Sequence, residues 1–204
     1  MERTRARPRS RSHPAAAGVT ERETNVISVF TIQSNGTLSG PVTTPSVRPA
    51  PFGFNFAGPE LIVVSEPDPK NSSASSYHLD GNMPVQPISE GIVNGQGASC
   101  WVTVAPSGGR AYISNTESST LSTYAIDSMG MLTLRQAAVP TDGMGSGPID
   151  SDISASGQLF FVLLGGKGTI AVYRTSNDGH LALLGVRETG LPMLGTQGLA
   201  VLNR

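Results

Sequence analysis

Three side chains in this sequence could take part in binding or catalysis: Asp150, Trp101 and Arg110. Asp150 could act as a general base or contact a ligand, because a carboxylate accepts a proton or a hydrogen bond. The indole of Trp101 could stack on a ring-shaped ligand, and Arg110 is a cation that could hold an anionic group. Each residue also has a structural alternative. Asp150 could bind backbone N–H groups at a strand start, Trp101 could pack between elements, and Arg110 could be solvated.

Other motifs of enzyme chemistry fail on spacing or context. Residues 97–101 are similar to the sequence around the nucleophile of papain-like proteases, but His180 follows Cys100 by 80 residues, whereas those enzymes need about 130–150. Residues 165–169 lack the Ser or Thr that must follow Gly-Lys directly in a phosphate-binding loop. Residues 143–147 lack the glycine spacing of a G-x-S-x-G elbow. With a single cysteine and no metal motif, we expect no metal site and no cofactor.

An aromatic residue recurs along the chain at spacings of 47, 47 and 49 residues, and each copy begins an extended stretch that runs into a glycine turn. The four residues are Phe30, Tyr77, Tyr124 and Tyr173. Strongly apolar stretches at 61–65, 111–115 and 159–163 keep a similar period. A period of this length, built from short strands and glycine turns, is typical of a β-propeller blade. The sequence therefore predicts an all-β fold of about four antiparallel four-stranded blades, in which the apolar stretches are second strands buried between blades.

The predicted strand count is uneven at the two ends. Residues 26–44 supply third and fourth strands, three whole blades follow, and residues 198–202 form a first strand. The three blades cover about 51–87, 99–139 and 148–185. Either the last strand joins the opening pair in a four-bladed ring, or the chain is an arc of a larger ring; propellers have about 4–8 blades. We expect the arc, and with it self-association through open blade edges.

Composition bounds the remaining possibilities. Residues 1–24 hold five arginines at alternate positions 3–11 and few large apolar residues, so we expect a disordered Arg-rich tail followed by propeller blades over 25–204. A net charge of -1 over 204 residues favours neither nucleic acid nor an anionic membrane as partner, although nucleic-acid binding by the tail stays open as a hypothesis. The compartment is unknown; the cytoplasm is slightly favoured because no secretory signal is recognisable.

Several short motifs are similar to those of one protein family. Tyr-Ile-Ser-Asn at 112–115 looks like a YVTN motif, Ser-Asn-Gly-Thr-Leu at 34–38 looks like a D-G-T-L turn, and Gly-Ser-Gly-Pro stands at 145–148. Together they resemble the lactonase-type seven-bladed β-propeller family, which includes 6-phosphogluconolactonase-like and carboxymuconate-cyclase-like proteins. The resemblance covers about 25–202 and corresponds to roughly the C-terminal half of a family member. In the family's Gly-x-Gly-Pro-Arg-His pattern, Ile149 and Asp150 stand at the arginine and the histidine.

The resemblance implies hydrolysis or formation of an intramolecular ester in a sugar acid or muconate-type acid, by general acid/base catalysis at the mouth of a central channel. Asp150 would be the catalytic residue, and Trp101 and Arg110 would contact the substrate. The alternative is a non-catalytic propeller module that binds another protein or further copies of itself, because a fold can be inherited without its activity.

Overall fold

The computed structural model describes residues 16–80 and 83–202, which form fifteen β-strands. The strands are β1 Ala16–Glu21, β2 Val26–Ile32, β3 Leu38–Pro45, β4 Phe54–Gly58, β5 Leu61–Glu66, β6 Ser73–His78, β7 Gln86–Val93, β8 Ser99–Val104, β9 Arg110–Asn115, β10 Thr120–Ile126, β11 Leu132–Pro140, β12 Pro148–Ile153, β13 Leu159–Leu164, β14 Thr169–Thr175 and β15 Leu181–Glu188. No helix within these residues is long and apolar enough to cross a membrane.

The strands form four antiparallel sheets in chain order. Sheet 1 contains β1–β3, sheet 2 contains β4–β7, sheet 3 contains β8–β11 and sheet 4 contains β12–β15. Within each sheet, every strand pairs with the strands next to it in the chain, which is the meander of a propeller blade. The predicted fold class, a partial β-propeller, is confirmed.

Strand β1 corrects the expected boundary of the N-terminal tail. Residues 16–21 pair with β2 over their full length, from Ala16 opposite Thr31 to Glu21 opposite Val26. They therefore belong to the first blade, and the prediction of a disordered tail up to residue 24 is wrong for this segment. Residues 1–15 lie outside the described residues.

The apolar core consists of three clusters, each between consecutive sheets. Ile27 and Val29 of sheet 1 pack with Ile62 and Tyr77 of sheet 2. Val63 and Ala74 of sheet 2 pack with Ile113 and Tyr124 of sheet 3. Tyr112 and Leu121 of sheet 3 pack with Phe160 and Tyr173 of sheet 4. The second strands are thus buried between blades, as their apolar runs predict.

The repeating tyrosines connect each sheet to the one before it. The Tyr77 hydroxyl accepts a hydrogen bond from the Val47 N–H at 3.1 Å, just after β3. The Tyr124 hydroxyl donates to the carbonyl of Ile92 and the Tyr173 hydroxyl to that of Pro140, both at 3.1 Å. Phe30 occupies the same repeat position in sheet 1, is half-buried and carries no hydroxyl. The aromatic period of the sequence therefore marks contacts between blades.

A second repeating position ends β1, β5, β9 and β13, and it holds Glu21, Glu66, Asn115 and Leu164 in turn. Asn115 is fully buried, and its amide bonds to serine, threonine and asparagine side chains on both strands beside β9 and in the turn before β8. Glu66 accepts a hydrogen bond from the Ser73 hydroxyl at 2.6 Å through Oε2. Its other oxygen, Oε1, is buried and has no hydrogen-bond partner among the described residues.

The half-satisfied carboxyl of Glu66 should make stability depend on pH. Burial raises the pKa of Glu66 above its usual value near 4.5, while the hydrogen bond from Ser73, the nearby Ser75 hydroxyl and the charge of Arg48 oppose the shift. The folded protein then binds more protons than the unfolded chain, so stability is highest below the unfolded pKa and falls as pH rises through the folded pKa. We expect Glu66→Gln to be more stable than the wild type by about 1–2 kcal/mol at pH 8 and the gap to close toward pH 5.

Urea unfolding of both proteins across this pH range measures the effect. Glu90→Gln, at an exposed position on the same sheet, is the matched control and should parallel the wild type. A constant difference between Glu66→Gln and the wild type at all pH values would contradict a titrating carboxyl.

Candidate functional site

Asp150 lies on β12, the inner strand of sheet 4, and both of its carboxylate oxygens accept backbone hydrogen bonds. Oδ1 accepts from the Ser151 N–H at 2.8 Å, and Oδ2 accepts from the Leu199 N–H at 2.8 Å. Two residues later, Asp152 accepts from the Val201 N–H at 2.6 Å in the same way. This geometry fits the structural alternative, in which Asp150 accepts hydrogen bonds from backbone N–H groups. A role for Asp150 as general base stays a prediction.

The hydrogen bonds of Asp150 and Asp152 also position the C-terminal segment. Residues 198–202 were predicted to form a first strand, but within the described part of the chain no β-strand is assigned to them. Instead Leu199 and Val201 lie beside β12, each 49 residues after the aspartate that it contacts. The segment therefore occupies the place of the next inner strand without being part of a sheet.

Trp101 lies on β8, the inner strand of sheet 3, and is 39% exposed. Its ring contacts Phe52 edge to face, with centroids 5.8 Å apart at 67°. Phe52 lies two residues before the inner strand of sheet 2. The indole thus packs between two blades, as in the structural alternative, while its exposed part leaves room for a ligand contact.

Arg110 begins β9 and lines a cavity of about 610 Å³ between sheets 3 and 4. Arg174 near the end of β14 lines the same cavity, and the other lining residues are mostly polar: Ser156, Gly157, Gln158, Leu159, Thr175, Ser176 and Asn177. A guanidinium nitrogen of Arg110 donates to the carbonyl of Ser176. Two guanidinium groups and several hydroxyl and amide groups at one cavity form a surface suited to an anion.

The Tyr112 hydroxyl is a buried polar group close to this cavity. It has no hydrogen-bond partner among the described residues. Burial raises the pKa of Tyr112, and the charge of Arg110 and the Thr175 hydroxyl partly oppose this shift. Tyr112 therefore stays neutral at ordinary pH, and its buried hydroxyl is not among the groups that line the cavity.

Close to the cavity, the exposed carboxylate of Asp178 contacts a histidine. His180 Nδ1 lies 2.9 Å from Asp178 Oδ2. Hydrogen bonds from the Ser176 hydroxyl, followed by those from His180, hold the pKa of Asp178 well below its usual value. This carboxylate therefore stays charged, and it would repel an anion bound in the cavity.

The structure does not bring the three predicted site residues to one place. Arg110 lines the cavity between sheets 3 and 4, whereas Asp150 and Trp101 are not among its lining residues. Arg174 was missed by sequence reasoning. It directly follows the repeating Tyr173 on β14, and in the structure it lies opposite Leu159 of β13. Its place in the repeat was therefore the signal that could have located it. Within the described residues, no group of three or more His, Cys, Asp or Glu side chains could hold a metal ion.

Comparison with known proteins gives matches in structure alone. No protein-family model matches the chain, and no curated protein matches its sequence. Among solved structures, the chain is similar to a candidate 6-phosphogluconolactonase of Bacteroides uniformis, with 20% identity, a TM-score of 0.66, and coverage of 82% of this chain and 52% of the other. It is also similar to the periplasmic gluconolactonase of Pseudomonas aeruginosa, with 19% identity, a TM-score of 0.63, and coverage of 85% and 51%.

A protein of Lactobacillus plantarum gives a TM-score of 0.71 at 18% identity, with coverage of 85% of this chain and 52% of the other. At these identities the likeness concerns the fold. The chain spans about half the length of each of these structures. It therefore has the fold of about half of a longer β-propeller.

Proposed function

We propose that this chain is part of a lactonase-like propeller whose ligand is a sugar acid or muconate-type acid, and that the assembled protein hydrolyses the corresponding lactone. The observation that carries the proposal is the cavity lined by Arg110 and Arg174. Names of structural neighbours, a 6-phosphogluconolactonase and a gluconolactonase, support the same substrate class.

The ligand would be held through its anionic group. A carboxylate or phosphate offers several oxygens, and a planar guanidinium can donate two parallel hydrogen bonds to such a group. The hydroxyls of Ser156 and Ser176 and the amides of Gln158 and Asn177 are the groups that would bind the hydroxyls of a sugar acid. The cavity has room for a molecule of this size.

Hydrolysis of the lactone needs a water molecule to attack the ester carbon and a base to accept its proton. Asp150 is the proposed base. Its oxygens each accept one backbone N–H, so a carboxylate lone pair remains for a water molecule. Trp101 would form a wall of the channel, as its partial exposure allows. Because Asp150 lies outside the lining of the Arg110–Arg174 cavity, the proposal places hydrolysis of the lactone at the channel and binding of the acid at the cavity, as two separate sites.

A non-catalytic propeller module is the second candidate. It is favoured by the structural use of Asp150, whose two oxygens already position residues 151 and 199. Binding of an acid without turnover of its lactone would fit this candidate.

Calorimetry with 6-phosphogluconate, together with a hydrolysis assay on δ-gluconolactone and 6-phosphogluconolactone, tests the proposal. We expect Arg110→Gln and Arg174→Gln each to weaken binding by about tenfold or more, because a hydrogen bond to a charged group contributes about 1.5–3 kcal/mol. The matched control is Arg187→Gln. Arg187 is exposed, lies on sheet 4 together with Arg174, and is not part of the cavity lining. Asp150→Asn should abolish turnover and leave binding unchanged.

Equal affinity of the wild type and both cavity variants would place the ligand elsewhere. Turnover retained in Asp150→Asn would remove Asp150 from the mechanism. No turnover by the wild type, with binding intact, would favour the non-catalytic module.

A further inference from the structure

The turn between β2 and β3 contains an Asn-Gly pair, Asn35-Gly36, whose two residues are exposed. In such a pair the backbone nitrogen of glycine can attack the side-chain amide of asparagine, because glycine has no Cβ atom to obstruct the approach. Gly36 has a φ of +83°, and a Cβ atom added to it would meet no atom within 4 Å. The turn therefore has space for a ring to form at this peptide bond.

Thr37 donates two hydrogen bonds to the side-chain oxygen of Asn35. The Thr37 nitrogen lies 3.0 Å from Asn35 Oδ1, and the Thr37 hydroxyl oxygen lies 2.7 Å from it. When a nitrogen attacks the Cγ atom of Asn35, negative charge develops on Oδ1. Two donors already directed at this oxygen stabilise such a charge, as donors do in an oxyanion hole. Thr37 is thus placed to promote the attack.

The attacking nitrogen would be that of Gly36, whose N–H donates to the Gln33 carbonyl at 2.9 Å. This hydrogen bond has to open before the nitrogen can react. Gln33 and Gly36 are both exposed, so water can replace the bond at little cost in free energy. A second backbone bond, from the Gln33 N–H to the Thr37 carbonyl at 2.8 Å, keeps Thr37 beside Asn35 while the first bond opens.

The sequence has a second Asn-Gly pair, Asn94-Gly95, in the opposite environment. Asn94 is 4% exposed, and its Nδ2 atom donates to Ser99 Oγ at 3.0 Å and to Asn115 Oδ1 at 3.3 Å. The amide nitrogen can leave as ammonia only if these buried hydrogen bonds break, which is costly away from water. We therefore expect this pair to be unreactive in the folded protein, and it serves as an internal control.

We propose that Asn35 is a site of spontaneous deamidation, with water as the only co-reactant. The Gly36 nitrogen loses its proton to base and forms a bond to Asn35 Cγ, the Cγ–Nδ2 bond breaks, and Nδ2 takes up a proton and leaves as ammonia. Water then opens the resulting succinimide ring at either carbonyl, which yields aspartate or isoaspartate. In total, one asparagine and one water give one acidic residue and one ammonia. This inference is independent of the proposed ligand.

The aspartate product fits a turn of this kind. The turn after β14 has Asp178-Gly179 at the same distance from its repeating aromatic residue. Asp178 Oδ1 accepts a hydrogen bond from the His180 N–H at 3.3 Å, as Asn35 Oδ1 accepts one from the Thr37 N–H. The isoaspartate product inserts a methylene group into the backbone and changes the spacing across the turn. The modified protein would thus carry a new negative charge here and, in part of the molecules, an altered turn.

Peptide mapping by mass spectrometry tests the proposal, after incubation of the folded, full-length protein at mildly alkaline pH. We expect a gain of one dalton that fragmentation assigns to residue 35, while Asn94 keeps its mass. In urea both pairs should react, because unfolding exposes Asn94 as well.

Variants of Thr37 test its part in the reaction. Thr37→Val removes the hydroxyl and keeps the shape of the side chain, and we expect it to slow the reaction at Asn35 about fivefold, the effect of one exposed hydrogen bond. Thr37→Ser retains the hydroxyl and is the matched control, which should react at nearly the wild-type rate. Equal rates in Thr37→Val and the wild type would remove Thr37 from the mechanism.

Two results would overturn the deamidation site itself. One is a folded protein in which Asn35 stays unmodified over the period in which the urea-unfolded chain reacts. The other is equal reaction of Asn35 and Asn94 in the folded protein, because the rate would then follow the sequence alone and not the exposed turn.

Discussion

Gly53→Ala is expected to lower the free energy of unfolding by about 3 kcal/mol, the upper end of the cost of overpacking. Gly53 lies before β4, where the inner edges of sheets 2 and 3 come into contact. A Cβ atom at this position would lie 2.1 Å from the carbonyl oxygen of Cys100. That oxygen accepts a hydrogen bond from the Gly53 N–H at 3.1 Å and another from the Ser65 hydroxyl. The backbone therefore cannot move away without losing hydrogen bonds between the two blades.

Urea unfolding followed by circular dichroism measures this loss. Gly109→Ala is the matched control, because a Cβ atom there would meet its nearest neighbours at 3.8 and 3.9 Å, which is ordinary contact. The control should be neutral or more stable by up to about 1 kcal/mol, since alanine restricts the unfolded chain. Equal stability of the two variants would show that sheets 2 and 3 do not approach each other this closely.

Asn115→Leu should also cost about 3 kcal/mol, because it removes the centre of a buried hydrogen-bond network. The Asn115 Oδ1 atom accepts from the Ser99 hydroxyl at 2.6 Å, and its Nδ2 atom donates to the Ser122 hydroxyl at 2.9 Å. Leucine would leave these groups buried without that partner. Asn115 is the last residue of the YVTN-like motif, so the experiment measures what this motif contributes to the blade.

Sheet 4 supplies a design that should recover part of the loss. Its register places Leu164 at the position of Asn115, with Pro148 and Ala171 at the positions of Ser99 and Ser122. This blade thus fills the same space with apolar groups. We expect the triple variant Asn115→Leu/Ser99→Ala/Ser122→Ala to regain at least about 1 kcal/mol relative to Asn115→Leu, because fewer polar groups remain unpaired. A triple variant less stable than the single one would contradict the network as the source of the loss.

The blades could be predicted from the sequence because their determinants are local and repeated. The tyrosine period and the apolar second strands each occur once per blade, and their positions in the structure agree with the prediction. Strand β1 escaped prediction because Ala16–Glu21 is rich in small residues and lacks a large apolar run. A weaker signal existed: Val19-Thr20-Glu21 is similar to Val64-Ser65-Glu66, 45 residues later.

The candidate site could be predicted only residue by residue. Trp101 and Asp150 were placed on inner strands by their position in the repeat. Which side chains share a cavity depends on how two blades pack, and no local pattern records this. Arg110 and Arg174 are 64 residues apart in the sequence and meet at one cavity because sheets 3 and 4 are neighbours. The hydrogen bond that the Leu199 N–H donates to Asp150 is likewise a long-range contact.

The chain's single tryptophan gives the molecule a built-in optical reporter. The emission of an indole responds to the groups around it and to water, and the Trp101 ring rests against Phe52 at the junction of sheets 2 and 3. A spectral shift during unfolding would thus follow the parting of these two blades and not that of blades further along. Comparing its time course with backbone signals would show whether the arc melts as one unit or one blade after another.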